Sequence, residues 1–303
     1  MKNKKTNKKR YNSQAVKWGY LMILPVLLGL TVFYIMPFFQ NIFYSFTDLN
    51  SFGVWKPIGL ANYKELFADE NFYMALKNTF TYTIFTVPLS IIISMTVANL
   101  LNKNIKGIGV YRTLYFLPAV TMPAAVAMIW KWIYNGQYGL LNQLIMKFGG
   151  QPKAWLADNN TALACIIVVG IWMSLGMNII FFLAGMQSIP KQYYEAAKLD
   201  GASGFKQFFT ITFPLLSPTL LFVITKDLIG SFQVFDIIFM MINKTSPALK
   251  SSQSIVYLFY QAAVDFGRKG YGAAVATVLF VIIIVITFIQ MTLQKRWINN
   301  VKN

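Results

Sequence analysis

The chain has 303 residues, 56% of them hydrophobic and 12% charged, against about 25% charged in an ordinary soluble domain. So few charges cannot cover a particle of this size, which excludes a water-soluble fold and leaves the apolar excess to face lipid. The net charge of +17 lies between long apolar runs and not on one soluble face, which excludes a nucleic-acid partner, while zero His and the single Cys165 exclude imidazole chemistry, an internal disulfide and a thiolate zinc site.

The Lys/Asn-rich first ten residues read as part of a solvated basic arm, 1–17, near anionic headgroups. Six runs then approach the roughly 20 apolar residues a helix needs to cross lipid: Trp18–Phe39, Asn78–Leu101, Thr113–Trp130, Thr161–Ile189, Ile211–Ile242 and Tyr271–Gln294. Unbroken apolar runs favour helices over a barrel, so the expected fold is an all-α polytopic membrane protein with six transmembrane helices. The first run is too long for a cleaved signal peptide and has no small-residue cleavage site, so it is expected to remain as an anchor. The chain divides into the arm, a first span with its outer loop over 18–76, a core over 77–294 and a tail over 295–303.

Orientation follows from the lysines and arginines. With the amino terminus inside, 16 of them fall in inner segments and nine in outer ones, so both termini are expected in the cytoplasm of a bacterial cell membrane. Trp18, Tyr20, Trp130, Trp132 and Tyr134 suit interfacial belts at the span ends. The outer segments, about 40–77, 131–160 and 243–270, are too small for catalytic domains but large enough for docking. Within the last, Ser254–Phe266 places Ile255, Leu258, Phe259 and Ala262 on one helical face, as for a helix lying at the outer interface.

The fourth and fifth runs are joined by Ser188 to Pro214. Pro190 suits a first helical turn, Glu195, Ala196, Ala197 and Lys198 continue it, and Gly201 can supply the left-handed stop. A second short helix, about Ser203–Thr210, turns Phe205, Phe208 and Phe209 to the membrane.

This loop resembles the cytoplasmic signature of the permease subunits of binding-protein-dependent ATP-binding-cassette importers: Glu195, Ala196 and Ala197, then Gly201, Ile211 and Pro214 at the family's intervals, with Phe213 in place of Leu. Tyr194 to Ala197, with Asp200, Gly201 and Ala202, is similar to the carbohydrate branch, which includes maltose, multiple-sugar and glycerol-phosphate systems. The resemblance implies the type I permease fold and a coupling helix, with Glu195, Ala196, Ala197, Asp200 and Gly201 seated in a groove of a separate ATPase subunit. It implies a second homologous permease, two such ATPases, an extracellular solute-binding protein and lipid as partners. ATP and Mg belong to the ATPase, since no Gly-Lys dipeptide and hence no P-loop occurs here. No catalytic residue, bound cofactor or metal is expected in this chain.

Charges at membrane depth usually face a cavity or a partner, and Lys226, Asp227 and Asp236 all fall in the fifth run. Asp227 and Ser231 share one helical face, Gln233 and Asp236 another. Gly170, Ser174 and Asn178, every fourth residue in the fourth run, read as a packing seam. Matching by distance from the signature, the resemblance points to Met173, Ser174, Met177, Asp227, Ser231 and Gln233 as the substrate pathway, with Trp172, Phe232 and Phe235 available as a ring-stacking face. The expected function is ATP-driven import of a carbohydrate, an oligosaccharide. The alternatives are glycerol 3-phosphate import, disfavoured by the absence of Arg in a span, and an ion-coupled secondary transporter relaying through Lys226, Asp227 and Asp236.

Overall fold

The computed structural model describes residues 13–103 and 106–302, with side chains of residues 13, 15, 16 and 295–302 left aside; most of the basic arm lies outside the described residues. The first long helix, α1 (Lys17–Tyr44), widens into a π-turn at Thr31–Ile35, where the Met36 N–H reaches the Thr31 carbonyl five residues back. Pro37 is the cause, since it has no N–H to donate and its ring crowds the preceding turn. None of the residues from Lys17 to Tyr44 is buried. The last turns of α1 meet the rest of the bundle, where the Asn41 amide donates to the Ala273 carbonyl and Thr277 Oγ1 at 3.3 and 3.2 Å.

The outer segment folds into α2 (Ala61–Ala68), held by the buried Asn62 amide, which donates to the Ser45 and Thr47 carbonyls. Asp69 then caps α3 (Glu70–Leu101), accepting from the Asn71 N–H at 2.9 Å. Thirty-two residues give about 48 Å of helix, longer than the hydrocarbon layer. The expected third span is broken: α4 (Ile108–Val120) and α5 (Pro123–Ile133) meet at 102°. Pro123 has no N–H and pushes Met122 into extended backbone, so Thr113–Trp130 cannot run as one helix. After α6 (Leu140–Lys147) comes α7 (Ala162–Gln187), a continuous span as expected.

The signature loop begins with α8 (Lys191–Leu199). In α9 (Gly204–Leu215) a π-turn at Phe208–Thr212 again falls just before a proline, Pro214. The second loop helix is thus longer than Ser203–Thr210 and runs into the membrane segment. A bend of 68° leads to α10 (Ser217–Phe232), and α11 (Asp236–Met241) follows a non-helical Gln233–Phe235. The single helix expected over Ile211–Ile242 is therefore three pieces. The break at 233–235 frees backbone groups, and the Val234 carbonyl is met by the Ser254 hydroxyl at 2.6 Å. Irregular backbone at membrane depth persists only where protein satisfies it in this way. The chain ends with α12 (Ala248–Ser252), α13 (Ile255–Asp265) and α14 (Lys269–Lys302), so the expected tail continues the last helix.

Helices α3, α7 and α10 make the centre, with α4 on α7 and α5 on α11. Gly170 sets the α3–α7 approach, for a Cβ there would fall 2.0 Å from the Tyr82 hydroxyl, and at Gly176 it would meet the Ala119 backbone at 2.7 Å. The Gly170, Ser174, Asn178 stripe is accordingly a close-packing seam over its first turn. The apolar face expected on 254–266 exists, but Ile255, Leu258 and Ala262 are buried against Phe72, Tyr271 and Val275, so protein covers it instead of the interface.

Candidate functional site

The residues singled out in the fourth and fifth runs converge. Met173, Ser174 and Met177 of α7 and Asp227, Ser231 and Gln233 at the end of α10 all line one cavity of about 340 Å³. Tyr82 and Thr86 of α3 close one side, and Phe235 and Asp236 line it beyond the α10 break. Gln233 caps α10 and Asp236 opens α11, so the two do not share a helical face as expected; the break brings both into the same space as Asp227.

Asp227 is buried and fully engaged. Its carboxylate pairs with Lys226 Nζ at 2.9 Å and accepts from the Asn178 amide at 2.5 Å and the Ser90 hydroxyl at 3.3 Å. Lys226 Nζ also donates to Asn178 Oδ1 at 2.9 Å and sits 5.7 Å from the Phe181 ring centre. The network ties α3, α7 and α10 together. Asp236, by contrast, is exposed to the cavity, with no hydrogen bond or ion pair among the described residues. Lys226, the cation among the lining residues, is paired with Asp227 while its side chain stays 35% exposed.

Of the three aromatic candidates, Phe235 reaches the cavity and stacks on Phe239 at 5.2 Å, within a cluster that includes Tyr257 and Tyr260. Trp172 packs edge-on to Trp130, and Phe232 is buried against Phe80. Tyr82 and Thr86 were not anticipated. Their signal was in the sequence: Tyr82, Thr86, Ser90 and Ser94 recur every fourth residue along α3.

On the loop, Glu195, Ala196, Asp200 and Gly201 are exposed and Ala197 half-buried, and α8 has no buried residue. Gly201 has φ +72°, the Ala202 N–H bonds the Ala197 carbonyl at 2.9 Å, and the Gly201 N–H bonds the Lys198 carbonyl at 3.1 Å. This is a Schellman stop, and it fixes the length of α8. Tyr194 Oη and Thr212 Oγ1, 2.9 Å apart, bolt α8 to α9.

At the opposite end a wider cavity of about 870 Å³ is edged by ion pairs. Arg268 holds Glu65 through two bonds of 2.7 and 2.6 Å, and Lys244 holds Asp265 at 2.9 Å. The bond to Asp265 raises the Lys244 pKa above its ordinary value. Among the described residues no three His, Cys, Asp or Glu gather to hold a metal.

Apolar helices long enough to cross a membrane, gathered around a partly polar cavity, define a polytopic membrane protein. Residues 78–299 match the family described as the binding-protein-dependent transport system inner membrane component, and the chain belongs to it. It is 33% identical over 277 residues to the arabinooligosaccharides transport system permease protein AraP of Bacillus subtilis (strain 168), covering 91% of this chain and 88% of that one. It is 31% identical over 281 residues to the sn-glycerol-3-phosphate transport system permease protein UgpA of Agrobacterium fabrum, covering 91% and 94%. A chain from the crystal structure of a bacterial alginate ABC transporter, in complex with a periplasmic protein bound to alginate pentasaccharide, superposes with a TM-score of 0.85. That match covers 96% of this chain and 99% of the other at 21% identity, so it shows the fold alone.

Proposed function

We propose that this chain is the membrane-spanning subunit of an ATP-driven importer that translocates an uncharged carbohydrate, an oligosaccharide, handed over by an extracellular binding protein. The observation that carries the substrate class is the cavity between α3, α7 and the α10 break. It combines hydroxyl, amide and carboxylate groups from Ser174, Ser231, Gln233 and Asp236 with the ring of Phe235. Sugars need this mixture, polar partners for hydroxyls and a flat apolar face for the ring. Import of glycerol 3-phosphate is equally compatible with the fold, but the cation lining the cavity, Lys226, is already paired with Asp227.

Energy enters from outside the chain. In this reading α8, with Glu195, Ala196, Ala197, Asp200 and Gly201, seats on a separate ATPase subunit that binds ATP and Mg. The Tyr194–Thr212 contact and the continuous α9 pass its movement toward α10 as a rigid body. A second, homologous permease faces this one across the pathway, and the apolar surface of α1 meets lipid and that partner. Both termini lie in the cytoplasm.

The test is uptake and ATP hydrolysis by the reconstituted complex. Gln233→Leu keeps near-equal volume and removes a donor pair and an acceptor, so each bond lost to a buried sugar hydroxyl costs about 1–3 kcal/mol. Sugar-stimulated uptake should fall at least tenfold with expression unchanged, and should stop on ATP depletion. Uptake that ignores ATP and collapses with the membrane potential would instead establish an ion-coupled carrier working through Lys226, Asp227 and Asp236.

A further inference from the structure

A third cavity, of about 660 Å³, lies at the end of the bundle that carries α8. It opens between the last turn of α3 and the α8–α9 pair. Asn99 lines it from α3, Asn102 and Lys103 from the residues just after it, and Lys198 from α8. No acidic residue lines it: Glu195 and Asp200, the carboxylates of α8, fall outside. Neither Lys103 nor Lys198 has a hydrogen bond or ion pair from its side chain among the described residues, and both are exposed. The carbonyl end of α3, which would repel an anion, is partly covered, since the Arg112 guanidinium donates to the Leu101 carbonyl at 3.2 Å.

Two uncompensated ammonium groups beside two side-chain amides attract an anion with several acceptor oxygens. The same cavity is walled by Phe205 and Phe209, which are 77% and 52% exposed, with ring centres 4.8 Å apart. A small inorganic anion has no use for that apolar wall. A molecule with a phosphate at one end and hydrocarbon at the other does, and the cavity lies at the C-terminal end of α3, a helix long and apolar enough to cross a membrane. We infer that this cavity binds the headgroup of an anionic phospholipid, with phosphate on Lys103 and Lys198 and acyl chains along Phe205 and Phe209. Such a lipid bridges α3 to the loop and steadies the angle of α8. The inference needs only that this end of the bundle meets a membrane surface, so it stands or falls separately from ATPase docking.

The experiment uses the assembled transporter in nanodiscs of phosphatidylcholine with a minor share of phosphatidylglycerol, with retained lipid measured by native mass spectrometry. Each lysine near an anionic surface contributes about fivefold to binding. Lys103→Gln with Lys198→Gln should therefore lower phosphatidylglycerol retention roughly 25-fold, while Lys206→Gln, the same charge change on α9 outside the cavity, should leave it unchanged. Equal loss with Lys206→Gln would reduce the effect to general surface charge and overturn the site. Displacement of the lipid by inorganic phosphate at millimolar levels would reassign the cavity to a soluble anion. Loss of the ATPase subunit with lipid retention intact would show a protein contact instead.

Discussion

Asp227 shows how one residue can belong to both the bundle and the cavity. Its carboxylate is desolvated, and Lys226, Asn178 and Ser90 between them occupy both oxygens. Removing one member of a buried pair typically costs about 3–5 kcal/mol because the other charge is stranded. The Lys226 side chain is 35% exposed, so water can reach it and the cost falls to about 1–3 kcal/mol. Asp227→Ala should therefore lower the melting temperature of the purified protein, and the pair Lys226→Met with Asp227→Leu should recover most of the loss. Additive destabilisation by the double change would mean that the two charges do not act as a pair. The sequence marked Asp227 and Lys226 as costly charges within an apolar run, since any ionised group in such a run demands a partner. It could not show that the partners are each other plus Asn178, because adjacent residues on a straight helix point apart. The α3 stripe of Tyr82, Thr86, Ser90 and Ser94 was readable at the same spacing as Gly170, Ser174 and Asn178, but hydroxyls bonded to their own helix look identical in sequence to hydroxyls that face a cavity.

Among the elements, α8 was the most legible because its stop is local chemistry. A left-handed residue, two backward backbone bonds and no long-range contact are all that Gly201 requires. Gly201→Val places a β-branched side chain at φ +72°, at a cost of about 1–2 kcal/mol, whereas Asn tolerates that region. With no atom within 4 Å of a Cβ there, strain and not crowding decides the outcome. Gly201→Val should thus reduce ATPase co-purification several-fold and Gly201→Asn should nearly preserve it. Equal retention by both variants would separate the Schellman stop from docking. The broken spans were less legible. Pro123 and Pro218 stand in the first turn of the helices that follow two of the bends, but nothing local marks Gln233–Phe235, where the Ser254 hydroxyl, twenty residues on, meets the Val234 carbonyl. That break shapes the cavity, so this feature of the candidate site depends on a tertiary partner.

At the scale of the whole molecule the two ends of the bundle differ in kind. One carries α8, the α9 aromatics and the basic groups Lys103, Lys198 and Lys206; the other carries α2, α6, α12 and α13, where Arg268, Lys244, Glu65 and Asp265 neutralise one another in pairs. Of the nine outer basic residues, Lys244 and Arg268 are held in ion pairs, and orientation rests on the count of sixteen inner against nine outer basic residues. Lys103→Cys and Asn159→Cys sit on exposed positions at opposite ends, and the native Cys165 is buried, so a membrane-impermeant maleimide reads the added thiols alone. In right-side-out vesicles the reagent should modify Asn159→Cys and spare Lys103→Cys, and in inverted vesicles the pattern should reverse. Labelling in the opposite sense would put α8 outside the cell, out of reach of any ATPase, and would leave the mid-depth cavity to be driven by some force other than nucleotide.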